Sequence, residues 1–235
     1  MKIAAPQFCL LFSLLALASC AGLDPELVTK AEEKWGKTIA ELEAKDRAEK
    51  DPENAILFLG SSSIRLWDSI AEDMAPYPAI QRGYGGAKFS DGAVFAERLI
   101  TPHRYRAVVM FFGNDVSGKE TDATPEEVAG WFKRMAGVAT RHQPDAQIFC
   151  IAVTPTSSRW DAWPQVQEVN RALAEACNRD PRLHFIPTAT AFLGENGKPM
   201  DRLFRDDRLH LNPSGYDVWA GIIKGHLSAV LGGAG

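Results

Sequence analysis

The sequence predicts an α/β fold: a single three-layer α/β/α domain with a flavodoxin-like, five-stranded parallel sheet in the order 2-1-3-4-5. Three observations support this prediction. Short apolar runs alternate with helical patterns along the chain, as they do in proteins built from β-α-β units. The runs are apolar at nearly every position, which is typical of strands buried on both faces of a parallel sheet. A chain of 235 residues, 46% hydrophobic and 24% charged, suits one globular domain of this kind.

The strands and helices can each be located from their patterns. The predicted strands are residues 55–60, 78–83, 106–112, 147–153 and 183–188. The predicted helices run from Ser62 to about Ala75 and over residues 90–100, 125–142, 163–178 and 213–231. Thr124 is the expected N-cap of the amphipathic helix that follows it, and Pro213 stands near the start of the last helix, where proline is tolerated.

The first twenty residues have the pattern of an export signal. A single lysine precedes an apolar run that is too short for a membrane span. The segment Leu17-Ala18-Ser19-Cys20 resembles the bacterial lipobox, which implies removal of residues 1–19 as a lipoprotein signal peptide and lipidation of Cys20. Ala21 follows the cysteine, and in Gram-negative lipoproteins this favours the outer membrane. We therefore expect an exported, outer-membrane-anchored lipoprotein, periplasmic or at the cell surface; an ordinary secretory signal is the alternative.

The rest of the chain divides into two segments, an N-terminal tether and helix over residues 20–54 and the α/β domain over residues 55–235. Residues 24–50 have a charged helical pattern with Trp35, Ile39 and Leu42 on one side. Such a helix is either a spacer between the anchor and the domain or an arm that lies on the domain.

The charge balance argues against nucleic acid as a partner, because the net charge is −4 and the chain has no cluster of basic residues. No spacing of cysteine and histidine resembles a metal site, so we expect no metal. Two cysteines remain after the signal segment, Cys150 and Cys177. An exported compartment permits a disulfide between them, and two buried thiols are an equal alternative. The oligomeric state stays open.

Polar or glycine-rich segments follow four of the five predicted strands. They are Gly60–Ser63 after the first strand, Arg82–Ala87 after the second, Gly113–Asp115 after the third and Asp206–Asn212 after the fifth. Functional sites of parallel α/β sheets lie beyond the carboxyl ends of the strands. We therefore expect these four segments to meet at one edge of the sheet.

The residue types in these segments are those of nucleophilic catalysis. A serine such as Ser62 becomes a nucleophile when a base removes its proton, and His210 can be that base. Asp207, three residues earlier, can hold the imidazole in the right tautomer, which is the logic of the Ser-His-Asp arrangement. The backbone N–H of Ser62, an N–H of the glycine-rich turn and the Asn114 amide can then bind an oxyanion. Taken singly, each residue is more often a cap, a turn or a surface residue.

The order of these segments resembles that of the SGNH/GDSL hydrolase superfamily over about residues 55–232. The segments GSSSIR-x-W, RG-x-GG and D-x-LHLN-x-x-GY are similar to those of one subgroup of GDSL-like lipases and acylhydrolases. The resemblance implies that residues 55–235 form an SGNH hydrolase domain that needs no cofactor. It also implies roles for five residues: the nucleophile Ser62, the oxyanion donors Gly86 and Asn114, the acid Asp207 and the base His210.

The sequence departs from the family pattern in two places. Ser61 stands where the family usually has aspartate. The third segment is usually Gly-x-Asn-Asp, but here Gly113 directly precedes Asn114 and Phe112 occupies the usual glycine position. The second change bears on the backbone path before Asn114 and not on the presence of its amide.

Four residues in loops at the same edge are candidate substrate contacts: Tyr84, Gly85, Arg159 and Trp160. Exposed aromatic rings there would stack on a sugar or cover an acyl chain, and packing within the loops is the alternative. The loop of residues 155–163 is the expected source of substrate selectivity.

The function that we expect is that of a serine esterase or acylhydrolase acting on a small-molecule or glycan ester. Short loops without a large apolar lid favour acetyl-type esters of envelope or extracellular glycans, with lysophospholipids and thioesters as alternatives. A catalytically weak, glycan-binding lipoprotein of the same fold is a second hypothesis. A flavodoxin-type cofactor protein is a third, and it leaves Asp207 and His210 without a role.

Overall fold

The computed structural model describes residues 22–232 and contains five parallel strands in the order β2-β1-β3-β4-β5, which confirms the predicted fold class. The strands are β1 (Ile56–Gly60), β2 (Ala79–Gly83), β3 (Ala107–Phe111), β4 (Gln147–Ile151) and β5 (Leu183–Ile186). Every residue of β1 and β3 is buried, whereas the edge strands β2 and β5 are partly exposed. The apolar runs are therefore most continuous where helices cover both faces of the strand.

Eight α-helices surround the sheet in the part of the chain that the structure describes. They are α1 (Pro25–Ala48), α2 (Ser62–Arg65), α3 (Ile70–Asp73), α4 (Phe89–Val94), α5 (Ala96–Ile100), α6 (Pro125–His142), α7 (Trp163–Cys177) and α8 (Pro213–Leu231). Thr124 caps α6 as predicted, because its hydroxyl accepts the Glu127 N–H at 3.2 Å and the Glu127 carboxylate accepts the Thr124 N–H at 2.8 Å. Short 3₁₀ helices occupy residues 157–162, 189–192 and 201–203.

Two predicted helices are each broken into two short ones. The helix predicted from Ser62 to Ala75 ends at Arg65, and the chain then turns Trp67 completely into the core, where its indole N–H donates to Asp73 at 2.7 Å. The helix predicted over 90–100 is interrupted at Phe95, whose side chain is also fully buried. In both places the burial of a large aromatic side chain outweighs the continuity of the helix.

The two faces of the sheet form separate apolar layers, because side chains alternate along each strand. Leu57 and Leu59 of β1 face the layer that contains α1, α4, α5, α6 and α7. Ile56 and Phe58 face the layer that contains α2, α3 and α8. The second layer carries the serine-rich segment and the helix that follows the Asp206–Asn212 segment, so it fixes their separation.

Of the two arrangements considered for the N-terminal helix, the structure shows the arm that lies on the domain. Ala31 and Ile39 of α1 are buried in the core. The Trp35 indole N–H donates to Asp91 at 3.0 Å. Near the end of α1, the buried Arg82 guanidinium of β2 pairs with Asp46 at 2.5 Å.

Cys150 and Cys177 are both buried and free, and burial raises the pKa of the Cys177 thiol to about 12. Within residues 22–232, no helix has the length and apolar character that crossing a bilayer requires. The predicted signal peptide of residues 1–19 and the lipidation site Cys20 lie outside the described residues.

Candidate active site

The serine-rich segment places one of its three hydroxyl groups at the surface of a pocket. Gly60 ends β1 so close to β3 that a Cβ atom would lie 2.1 Å from the Phe111 carbonyl oxygen, which excludes any larger residue. Ser61 and Ser63 are buried, while Ser62 is partly exposed at the first position of α2. The first N–H groups of a helix have no intrahelical acceptor, so the Ser62 N–H is available to a ligand.

The Asp206–Asn212 segment is held as a tight turn by its own backbone. The Arg205 N–H donates to the His210 carbonyl at 2.7 Å, and Arg208 adopts a positive φ of 53° within the turn. One carboxylate oxygen of Asp207 accepts the N–H groups of Leu209 and His210, both at 2.9 Å. The other carboxylate oxygen is therefore directed at the His210 ring by the turn itself.

Ser62, His210 and Asp207 form a continuous chain of hydrogen bonds. The distance from His210 Nε2 to Ser62 Oγ is 3.0 Å, and the distance from His210 Nδ1 to Asp207 Oδ2 is 2.6 Å. Partial burial acts to raise the pKa of Asp207, but the hydrogen bonds from the His210 ring and from the backbone lower it to about 2. The carboxylate is ionised at neutral pH, holds the proton on Nδ1 and leaves Nε2 free to accept the serine proton.

Asn114 lies in the wall of the same pocket as Ser62 and His210. Its Nδ2 donates to the Ala87 carbonyl at 2.9 Å, and its Oδ1 accepts from Arg159 Nη2 at 2.9 Å. The pocket is partly open to solvent, and its walls include both polar and apolar residues. The Asn114 amide and the Ser62 hydroxyl therefore line one pocket, in which a tetrahedral oxyanion would need a hydrogen-bond donor.

The glycine-rich turn approaches this site through the Ala87 carbonyl. Gly86, next to Ala87, is exposed and has a φ of +77°, which a residue with a side chain adopts rarely. A Cβ atom on Gly86 would lie 3.5 Å from the Trp35 ring of α1. The nearest side chain to Gly85 is Arg65, 3.4 Å from the corresponding Cβ position. The walls of the pocket include neither Gly85, an expected substrate contact, nor Gly86, an expected oxyanion donor.

The expectation that Tyr84 contacts substrate is wrong. The side chain is only 1% exposed, and its ring packs edge-on against Trp35 with the ring centroids 5.3 Å apart. Because α1 covers the turn, the ring faces the core, and the structure gives its hydroxyl no partner among the described residues. Burial raises the pKa of Tyr84 well above its ordinary value.

Of the two neighbouring candidates for substrate contact, Arg159 lines the pocket and Trp160 does not. Arg159 lines the pocket, but two of its nitrogen atoms donate to protein atoms: Nη1 to the Gly113 carbonyl at 2.8 Å and Nη2 to Asn114. Trp160 lies outside the pocket wall and stacks on Trp163 with a centroid distance of 6.0 Å. The Lys198 amine lies 4.5 Å from the centroid of the Trp160 ring.

Two features of the site have no signal in the sequence. The hydroxyl of Thr154, which lines the pocket, is buried without a partner among the described residues. The contact of Arg159 with Asn114 joins residues that are 45 positions apart and belong to no common motif. Only the folded chain brings them together.

The third segment, around Gly113–Asp115, packs closely against the start of α4. Phe112, at the usual glycine position of the family, is 1% exposed and packs against Phe89 with a centroid distance of 4.9 Å. Asp115 is buried, and its carboxylate accepts the N–H of Phe89 at 2.8 Å and that of Ser90 at 3.5 Å, at the start of α4. The segment therefore ties β3 to α4 on one side of the pocket.

The sequence matches the family model of the GDSL-like Lipase/Acylhydrolase family over residues 58–218, which is more than half of the chain. The chain belongs to this family, and it is an ester hydrolase of the esterase or acylhydrolase type. No curated protein matches the chain significantly.

Solved structures share the fold at low sequence identity. A protein from Streptococcus pneumonia, named provisionally as a platelet activating factor, is 17% identical, with a TM-score of 0.72 over 87% of this chain and 100% of that one. A GDSL-like lipase from Bacteroides thetaiotaomicron is 18% identical, with a TM-score of 0.66 over 81% of this chain and 97% of that one. A carbohydrate esterase family 3 protein from Talaromyces cellulolyticus is 16% identical, with a TM-score of 0.58 over 77% of this chain and 99% of that one.

Asp115 gives the folded protein a measurable pH dependence. Burial, only partly offset by the N–H groups of Phe89 and Ser90, raises the pKa of Asp115 to about 7. The folded state therefore binds this proton more tightly than the unfolded state, so the stabilisation is present in acid and is lost as the pH rises through 7. We therefore expect the free energy of unfolding of Asp115→Asn, measured in urea titrations, to increase relative to that of wild type as the pH rises from 5 to 8.

Asp122→Asn is the matched control for this measurement. The backbone N–H groups of Ser117, Gly118 and Lys119 outweigh burial and lower the pKa of Asp122, so its titration lies below this pH window. Its effect on stability should be the same at pH 5 and pH 8. An equally constant difference for Asp115→Asn would show that Asp115 does not carry the raised pKa.

Proposed function

We propose that the protein is a serine esterase that removes short acyl groups, acetyl above all, from esters of envelope or extracellular glycans. The observation that carries the proposal is the unbroken hydrogen-bond chain from Ser62 Oγ through His210 to Asp207, with distances of 3.0 and 2.6 Å, at a pocket that Asn114 also lines. A binding module has no need for a base in contact with a serine hydroxyl.

The proposed reaction begins with attack of Ser62 Oγ on the ester carbonyl carbon while His210 Nε2 accepts the hydroxyl proton. The carbonyl oxygen becomes an oxyanion, which accepts hydrogen bonds from the Ser62 N–H and the Asn114 amide. Collapse of this intermediate breaks the ester C–O bond, and His210 gives its proton to the departing alcohol. Asp207 stabilises the imidazolium that exists between these two proton transfers.

Hydrolysis of the acyl-enzyme completes the cycle. Water attacks the acyl carbon on Ser62, His210 accepts a proton from that water, and the second tetrahedral intermediate uses the same donors. Its collapse returns the proton to Ser62 Oγ and releases the carboxylic acid. The residues named supply every proton transfer, so the mechanism needs no metal or organic cofactor.

The preference for short acyl groups rests on the composition of the pocket walls and on the opening of the pocket to solvent. Its walls combine apolar side chains such as Val153 and Val166 with the hydroxyl groups of Thr154 and Thr156. An acetyl group needs only a small apolar contact of this kind, whereas a long alkyl chain would extend into the part of the pocket that is open to solvent. We assign selection of the alcohol part to the loop of residues 155–163, and the name of the similar Talaromyces protein supports a carbohydrate ester.

We also propose export as an outer-membrane lipoprotein, on the strength of Leu17–Cys20 and Ala21. Cys20→Ser should move the protein from the membrane fraction to the soluble fraction of cells and abolish labelling with a palmitate analogue. Unchanged fractionation and labelling would reject the lipid anchor.

The hydrolysis of p-nitrophenyl acetate, butyrate and decanoate by the soluble chain from residue 21 tests the proposed activity. We expect the acetate ester to react fastest and Ser62→Ala to lose about 1000-fold or more in kcat/KM. Ser228→Ala removes an exposed serine hydroxyl on α8 and should keep the wild-type rate. Release of acetate from acetylated xylan or acetylated peptidoglycan then identifies the glycan.

The other outcomes reject parts of this proposal. Equal rates for wild type and Ser62→Ala on every ester, the two glycans included, would favour the glycan-binding alternative. Fastest reaction with decanoate would favour a lipase-type acylhydrolase.

A further inference from the structure

We propose that Arg159 is a positioning residue of the oxyanion hole, which acts by holding the Asn114 amide and the peptide before it. The proposal rests on the proposed serine esterase function, because it assigns a role to Arg159 in that reaction. It gives Arg159 a role different from the substrate contact expected from the sequence, because the guanidinium donates to Gly113 and Asn114.

The two partners of the Asn114 side chain fix its orientation without ambiguity. Arg159 can only donate, so the atom that faces Nη2 at 2.9 Å must be the amide oxygen. The Ala87 carbonyl can only accept, so the atom that faces it at 2.9 Å must be the amide nitrogen. With the oxygen and one N–H engaged at opposite ends, the second N–H is the donor left for the pocket that Asn114 lines.

The second hydrogen bond of Arg159 holds the backbone. Its Nη1 donates to the Gly113 carbonyl at 2.8 Å, which fixes the peptide plane between Gly113 and Asn114. Glycine has more conformational freedom than any other residue, so the segment before Asn114 gains most from an external contact. The fork of a guanidinium can hold a carbonyl and an amide oxygen at once, which a lysine amine cannot match.

The electrostatic surroundings of Arg159 are unusual for an arginine. The side chain is partly buried, and desolvation lowers its pKa from the ordinary value, yet arginine stays protonated in proteins. Among the ion pairs of residues 22–232, none includes Arg159. Arg159 therefore has no direct carboxylate partner among the described residues, only the more distant charge of Asp122, and its own charge polarises the Asn114 amide that it contacts toward a stronger donor.

The backbone of Arg159 is adapted to this contact. The residue interrupts the 3₁₀ helix of residues 157–162 with φ −128° and ψ 28°, outside the helical region. The interruption occurs at the residue whose side chain reaches the third segment. We infer that Arg159 supports the oxyanion hole, while other residues of the loop 155–163 contact the substrate.

The test compares Arg159→Met, Asn114→Ala and the double variant with p-nitrophenyl acetate. Loss of one oxyanion donor costs about 100- to 1000-fold, and we expect Arg159→Met to cost about 10- to 100-fold, in kcat with KM nearly unchanged. Because Arg159 acts through Asn114, the double variant should be no slower than Asn114→Ala. Arg171→Ala, an exposed arginine of α7 that pairs with Glu168 and Glu175, should keep the wild-type rate.

Two further variants separate positioning from a structural role. Guanidinium chloride at millimolar concentration should restore part of the kcat of Arg159→Ala and none of that of Asn114→Ala. Arg159→Lys should stay slow, because an amine cannot make both hydrogen bonds. Thermal unfolding of each variant shows whether the fold is kept, and the guanidinium rescue is read against the same salt added to wild type.

Effects of Arg159→Met and Asn114→Ala that multiply in the double variant would overturn the proposal, as would a change in KM alone. A direct contact with substrate would give that change in KM. If Ser62→Ala is inactive while Arg159→Met is fully active, only the positioning role fails. If Ser62→Ala is as active as wild type, the proposed esterase reaction fails and the positioning role fails with it.

Discussion

The hydrogen bond between His210 Nε2 and Ser62 Oγ, 3.0 Å long, joins residues that are 148 positions apart, and the proposed activation of the serine depends on it. The apolar layer that contains α2, α3 and α8 holds Ser62 and His210 in place. Trp67, just after α2, stacks on Tyr216 of α8 with a centroid distance of 5.2 Å. The Tyr216 hydroxyl also donates to the Ser63 carbonyl at 2.9 Å. The packing of α2 against α8 therefore sets the distance between nucleophile and base.

The polar groups around this hydrogen bond are oriented before any substrate is present. Asp207 accepts two backbone N–H groups of its own turn and the ring of His210, and these bonds keep its pKa at about 2. On the other side of the pocket, Asn114 is held between Ala87 and Arg159. Groups that are fixed in advance do not have to reorganise when charge develops, which is the main source of electrostatic stabilisation in enzymes.

The sequence predicts the sheet and brings Ser62, Asp207 and His210 to one edge, because strand ends and short-range spacing are local properties. The orientation of Tyr84 could not be predicted, since it depends on where α1 lies, and the helical pattern of α1 allows both a spacer and an arm. The helix predicted from Ser62 is interrupted at Trp67 because this side chain is buried against α8, which begins 146 residues later at Pro213. No local break signal causes the interruption. The role of Arg159 likewise arises from a contact between two loops.

The most direct test of Ser62 as the activated nucleophile is the site at which a fluorophosphonate probe forms a covalent bond. Such probes react with an activated serine hydroxyl and lose fluoride, and tandem mass spectrometry locates the adduct within GSSSIR. We expect one adduct per chain, on Ser62, and none in His210→Ala. Absence of an adduct in the wild type, or an adduct on Ser61 or Ser63, would contradict the assignment of Ser62 as the nucleophile activated by His210.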